Sequence, residues 1–202
     1  MIFALATNNP KKLKEIQRIL GALGHSGKSL DQLGISINIL EDGTSFSENA
    51  VIKARTIARM CKLPTISDDS GLEVDFLHGQ PGIYTARYAG NHPTDDENID
   101  KLLNALKGVE KEKRTARFVS CVCLYIPSYE NIDQESRFIV CRGECEGWIG
   151  FEREGEDGFG YDPIFMVGDK SYAQMPADEK DLISHRGIAM RKLEKEMQKL
   201  KF

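Results

Sequence analysis

Cysteine is scarce and unpatterned: five in 202 residues, an odd number with no CxxC pair. That excludes a disulfide scaffold and makes a reducing cytoplasm the simplest home. No stretch approaches the roughly 18 apolar residues of a membrane span. The apolar run Ile2 to Ala6 is too short for a secretion signal, and no basic segment precedes it. Positive charge is not in surplus either. Lys and Arg number 27 against 31 Asp and Glu, a formal charge of -4. No nucleic acid and no membrane is therefore expected as a partner, and any anionic ligand must meet a local cluster of cations. Repeats and long linkers are absent. What remains is 41% hydrophobic and 29% charged, an ordinary globular composition that excludes a disordered or collagen-like chain. One domain, or one domain with two lobes, is expected over 1–202, burying roughly 70% of its unfolded surface.

Ile2 to Ala6 reads as a buried strand, Thr7 to Pro10 as a turn. A helix follows, with Leu13, Ile16, Ile19, Leu20 and Leu23 at helical spacing. Gly21 to Lys28 reads as loop. Gly27-Lys28-Ser29 resembles the end of a phosphate loop, but Ala22 stands where its first glycine belongs and a helix precedes it, so a surface loop is expected. Ile35 to Leu40 alternates as a strand. Ser45 and Glu48 have capping-box spacing and open a helix to about Cys61. Pro64 to Ser67 is a brief strand, extended by Leu72 to Phe76, and Gly79 to Asn91 is a long loop. Thr94 and Glu97 cap a helix to about Leu106. Ala116 to Ile126 and Ser136 to Trp148 read as an antiparallel hairpin joined by 127–135, and Ser184 opens a last helix. Cys121 and Cys123 share a strand face. With Cys141 and Cys145 they could hold zinc, but buried free thiols are the better reading. Mixed strands and helices predict an α/β fold with a mixed sheet.

Four segments carry chemistry. The turn Thr7-Asn8-Asn9-Pro10-Lys11-Lys12 joins a buried strand to a helix, where free backbone N–H groups favour phosphate. Ser67-Asp68-Asp69-Ser70-Gly71 sets two carboxylates side by side at a strand end, beside a tight glycine turn. Like charges so close repel, and a hard divalent cation such as Mg²⁺ relieves that cost. On an extended backbone the two point to opposite faces, so one can hold metal while the other acts indirectly. Glu41 is a third carboxylate within reach of this logic. Gly158-Phe159-Gly160-Tyr161-Asp162 offers aromatic faces for a nucleobase beside glycines that admit close approach. Ser184-His185-Arg186, with Lys180 upstream, supplies hydrogen-bond donors. Lys53 either points at phosphate or is a solvated helix residue.

Together TNNPKK, SDDSGL, GFGYDPIF and SHR, in this order, resemble the Ham1-like family of inosine/xanthosine triphosphate pyrophosphatases. PGIYTARYAG (81–90) and SFSENAVIKA (45–54) match as well, and the resemblance runs from Ile2 to about Leu200. It implies hydrolysis of ITP, dITP and XTP to the monophosphate plus pyrophosphate, with Mg²⁺ as cofactor. It also implies a homodimer and an elongated mixed β-sheet flanked by helices, with an active-site cleft between two lobes. Carried over by motif, Asp69 is the general base and Lys53 assists at the phosphates. Thr7 to Lys12 hold the triphosphate, and Ser70 touches substrate. Glu41, Asp68 and Asp69 are the metal positions. Phe159, Gly160, Tyr161, Asp162, Lys180, His185 and Arg186 line the nucleotide and base pocket. This chain departs from the family pattern at Glu156-Asp157, where a small glycine-rich stretch is common, and at Leu40, where some relatives carry an acid. A Maf-like pyrophosphatase for other modified nucleotides, or a nucleotide sensor without turnover, are the rival readings.

Overall fold

The computed structural model describes residues 1–128 and 137–199. Among the described residues seven strands form one mixed sheet. They are β1 (Ile2–Leu5), β2 (Ser26–Lys28), β3 (Thr65–Val74), β4 (Thr115–Ile126), β5 (Arg137–Ile149), β6 (Phe165–Val167) and β7 (Lys170–Ser171). Their order is β2-β1-β3-β4-β5-β6-β7. β1 is parallel to β2 and β3, whereas β6 is antiparallel to β5 and β7. The helices are α1 (Pro10–Ala22), α2 (Phe46–Cys61), α3 (Asp95–Ala105), α4 (Ala177–Ile183) and α5 (His185–Lys199).

The helix starts follow from their caps. Asn9 is extended, and its Oδ1 accepts from the N–H groups of Lys11 and Lys12, with Pro10 in the first turn. Ser45 Oγ accepts from Glu48 N at 3.2 Å. The Glu48 carboxylate turns instead to Thr44, taking its N–H and hydroxyl at 2.7 and 2.9 Å. Thr94 and Glu97 complete a reciprocal capping box on α3.

The chain divides into two compact units. One comprises Met1–Asp69, Ser120–Gly143 and the chain from Arg186 on; the other comprises Ser70–Val119 and Glu144–His185. In the first, Phe3 and Leu5 of β1 pack with Ile16, Ile19 and Leu20 of α1 and with Ala189, Met190 and Leu193 of α5. In the second, Leu72 and Val74 pack with Ile99, Leu102, Phe118, Ile149 and Phe165. Cys121, Cys123, Cys141 and Cys145 are buried free thiols. Burial pushes the thiols of Cys121 and Cys123 up to about 11 and about 12.

Several expectations need correcting. Ile35 to Leu40 forms no strand. Its alternation is real, since Ile35, Ile37 and Ile39 lie against the cluster of Ala4, Leu30 and Ile57. The β1 edge is taken instead by β2, within the segment expected as loop. Gly27 leaves room there for the Leu5 side chain, whose Cδ1 a Cβ would meet at 2.5 Å. β3 is a continuous strand of ten residues. Asp68-Asp69-Ser70-Gly71 therefore lies inside a strand and not at a turn. α4, which no spacing in the sequence announces, carries Lys180. β4 and β5 are sheet neighbours, as the hairpin reading requires, but most of the 127–135 connection lies outside the described residues.

Arg114, only 2% exposed, ties the end of α3 to the end of β5. Its Nη1 donates to Leu106 O at 2.9 Å, Nε to Ile149 O at 2.6 Å and Nη2 to Gly150 O at 2.5 Å. Arg114→Met strips three buried carbonyls of their donors. We expect a loss of about 3 kcal/mol in urea unfolding with an unchanged slope.

Candidate active site

β3 decides the geometry of the acidic pair. Successive side chains on a strand face opposite ways. Asp68 and Asp69 are both buried, 1% and 8% exposed, and have different partners.

Asp69 faces α2. Its Oδ1 accepts from Lys53 Nζ at 2.9 Å and its Oδ2 from Asn49 Nδ2 at 3.3 Å. Lys53 Nζ also donates to Glu41 Oε2 at 2.8 Å, so one ammonium bridges two carboxylates. Asn49 and Lys53 lie one helical turn apart on the buried face of α2, where Ala50 and Ala54 leave room for β3 to approach. Ser67 Oγ donates to Ala50 O at 2.5 Å and pins strand to helix. Asn49 Oδ1 takes Gly43 N at 2.9 Å, which steers the chain around Glu41. Burial raises the pKa of Asp69 despite Lys53 and Lys12. For Glu41, burial opposes ionisation but Lys53 outweighs it, and the pKa is lowered. Burial likewise opposes the Lys53 charge, yet Asp69 and Glu41 raise its pKa. Lys53 is a paired, buried cation and not a solvated helix residue.

Asp68 faces the other way. Ser120 Oγ donates to its Oδ1 at 2.5 Å; Lys12 Nζ and Arg186 Nη2 reach its Oδ2 at 3.0 and 3.2 Å. Arg186 Nη1 bonds Glu15 in α1. Burial opposes ionisation of Asp68, but Arg186, Lys12 and the Ser120 hydroxyl hold its carboxyl well below the usual range. Both oxygens of Asp68 thus meet cations or a hydroxyl, as both oxygens of Asp69 meet Lys53 and Asn49. Arg186, 1% exposed, pairs with the two carboxylates Asp68 and Glu15.

The α1 turn is also more occupied than expected. Asn9 Oδ1 caps the N–H groups of Lys11 and Lys12 at 2.9 and 3.1 Å. Thr7 Oγ1 takes Asn9 N at 3.1 Å. Asn8 Nδ2 donates to Ile37 O at 3.0 Å, which anchors the 35–40 segment. Pro10 and Lys11 are exposed.

In the second unit Asp162, 3% exposed, organises the FGYD bend. Its Oδ2 accepts from Lys180 Nζ at 2.6 Å and Phe159 N at 2.8 Å. A Cβ at Gly158, φ +80°, would collide with that oxygen, so glycine is required. Gly160 N donates to Asp95 Oδ2 at 2.9 Å. Lys180 Nζ lies over the rings of Phe159 and Tyr172 at 5.4 and 5.2 Å. The His185 ring stacks on Phe118, 4.8 Å between centroids and 12° between planes. Phe159 is half-buried and can offer a face. Tyr161 is 2% exposed in the core, with its hydroxyl donating to Thr85 O at 3.0 Å. Ser70 is half-buried on β3.

A sequence profile described as the Ham1 family matches residues 3–196. The chain belongs to the Ham1 family. It is 47% identical over 193 residues to the dITP/XTP pyrophosphatase of Bacillus subtilis strain 168, covering 95% of this chain and 94% of that one. A second dITP/XTP pyrophosphatase, from Photobacterium profundum, is 47% identical over 191 residues, 94% of each chain. The structure of the Staphylococcus aureus Ham1 protein superposes with a TM-score of 0.83 at 37% identity, covering 100% of both chains.

In this Ham1 chain the departure at 155–158 is tolerated locally. Glu156 and Asp157 are both exposed, and Gly155 is required because a Cβ there would meet the Ala173 backbone at 2.6 Å. Leu40 is 77% exposed, and the neighbouring Glu41 makes the contact with Lys53. Four residues at the site escaped sequence reasoning. Asn49 could have been found as a polar residue one turn before Lys53 on an apolar helix face, and Ser120 as a lone hydroxyl within a buried strand. Glu15 and Asp95 carry no such signal.

Asp68→Asn leaves Lys12 and Arg186 short of a buried partner. We expect a loss of about 3 kcal/mol at pH 7. Asp68 has a lowered folded pKa, so its stabilisation is complete above the unfolded value of about 4 and is lost as pH falls through the folded one. Urea titrations should show the gap to wild type narrowing only below about pH 4.

Proposed function

We propose that this Ham1 family member hydrolyses the triphosphates of non-canonical purines, dITP, ITP and XTP, to the monophosphate plus pyrophosphate, cleansing the nucleotide pool. The observation that carries this reading is the near-full-length likeness to proteins named dITP/XTP pyrophosphatase. The geometry supplies the chemistry. Asp69, held by Lys53 and Asn49, is the general base that takes a proton from the water attacking the α-phosphorus. The bond from that phosphorus to the bridging oxygen breaks, and pyrophosphate leaves. Lys12 and Lys53 stabilise the charge that develops on the phosphates. Thr7, Lys11 and Ser70 are assigned to the same end of the substrate.

Mg²⁺ belongs to this proposal. Glu41 Oε2 and Asp69 Oδ1 converge on one point, the Lys53 ammonium. Mg²⁺ takes one or two protein carboxylates and completes its shell with water and phosphate oxygens, so this donor pair fits it. Glu41 and Asp69 would hold the ion, and when bound it neutralises phosphate charge and favours departure of pyrophosphate.

At the other end, Phe159 stacks on the base while His185 or Arg186 donates to its 6-position, with Lys180 lining the same pocket. A 6-oxo group accepts their hydrogen bonds. Adenine's 6-amino group would leave them unpaired, and such sites discriminate strongly. The single domain over 1–202, the homodimer and the cytoplasmic setting are part of the same reading. No helix among the described residues is long and apolar enough to cross a membrane.

Pyrophosphate release from dITP, ITP, XTP, dGTP and ATP, with Mg²⁺ and with EDTA, is the test. We expect metal-dependent release, fastest for dITP, ITP and XTP. Release of orthophosphate, or tight dITP binding without turnover, would overturn the reading. Asp69→Asn should lower kcat by about 10²- to 10⁴-fold while dITP still binds. A loss of only a few-fold would remove Asp69 from the role of base.

A further inference from the structure

Thr85, in the 81–90 segment, uses both its polar groups on two other parts of the second unit. β1 pairs with β3 at Thr65 and Ile66. Farther along β3 the chain of residues 80–85 takes up backbone groups: Val74 N donates to Gln80 O at 3.1 Å, and Glu73 bridges Pro81. At Leu72 the partner is a side chain. Leu72 N donates to Thr85 Oγ1 at 2.9 Å, and that hydroxyl donates onward to Gly82 O at 2.7 Å. The Thr85 carbonyl accepts from Tyr161 Oη at 3.0 Å. Leu72 lies two residues after Ser70, and Tyr161 stands between Gly160 and Asp162. One residue thus ties the strand that carries the acidic motif to the bend that carries Phe159 and Asp162, the partner of Lys180.

We propose that Thr85 is a positioning residue for base selection, its hydroxyl and carbonyl together setting the spacing between the Ser70 end of β3 and the Phe159–Asp162 bend. It touches neither substrate nor reacting atoms. A hydroxyl is required because Leu72 N–H needs an acceptor and Gly82 O a donor, and one hydroxyl is both. Valine keeps the shape and loses both functions; serine keeps both. The carbonyl bond can be removed separately by Tyr161→Phe. The inference rests on the pyrophosphatase reading, because its readout is selectivity in that reaction.

The experiment compares wild type, Thr85→Val, Thr85→Ser, Tyr161→Phe and the Val/Phe double variant. It measures kcat/KM for dITP and dATP and hydrogen exchange at the Leu72 amide. Thr85→Val should lower kcat/KM for dITP about tenfold, the size of one lost hydrogen bond to a buried N–H, with the selectivity over dATP narrowing and Leu72 exchange speeding up. Thr85→Ser should stay within about twofold of wild type. Tyr161→Phe should narrow selectivity, and the double variant should fall short of the product of the two single effects, because both act through one spacing. Unchanged selectivity in folded Thr85→Val, or a Thr85→Ser as impaired as Thr85→Val, overturns the proposal. If Thr85→Val does not fold, unchanged selectivity in Tyr161→Phe overturns it instead. Wild-type protein inactive on dITP and XTP overturns the pyrophosphatase reading, which the variant comparison distinguishes from a failure of Thr85.

Discussion

Two consecutive carboxylates on one continuous strand cannot share a partner. The two-residue period of β3 sends Asp68 one way and Asp69 the other, and both are nearly removed from water. Each buried charge must be matched on its own side, or its desolvation cost stands uncompensated. Asp69 receives Lys53 and Asn49 from α2; Asp68 receives Lys12 from α1, Arg186 from α5 and a hydroxyl from β4. Three helices are thereby fixed to one strand by electrostatics as well as by packing.

The pairing has a second layer. Lys53 is shared between Asp69 and Glu41, and Arg186 between Asp68 and Glu15. In the second unit Asp162 and Lys180 form a pair with the same character. On the proposed reading, a nucleotide arrives at groups that already have partners, so binding exchanges carboxylate contacts for phosphate oxygens or base edges. Such an exchange favours a ligand that supplies every replacement contact and disfavours one that leaves a buried donor unpaired.

Much of the frame was legible from residue patterns. The caps at Asn9, Ser45 and Thr94 begin helices where the polar signals stand, since a helix start is a local hydrogen-bond problem. Ile35 to Leu40 misleads because alternation reports which side chains are buried and not whether the backbone finds a ladder partner. The reverse error at Ser26–Lys28 has the same root. That strand is defined by its parallel ladder with β1, where Gly27 leaves room for Leu5, a matter of its neighbour and not of the segment's own composition. Tyr161 and Arg186 suit a base by residue type, since aromatic rings stack and guanidinium groups donate, but that they are buried, and beside which carboxylates and carbonyl, is decided by the fold.

The sequence by itself determined the family, the mixed α/β class and the residue types of the site, because motif order and hydrophobic period are properties of the chain alone. It also determined that Asp68 and Asp69 diverge, since strand geometry needs no partner to make them do so. Only the tertiary structure decided who meets them. Glu15 and Arg186 are 171 residues apart, and Thr85 and Tyr161 are 76 apart. Contacts of that separation depend on how the sheet orders its strands, and no local propensity encodes them.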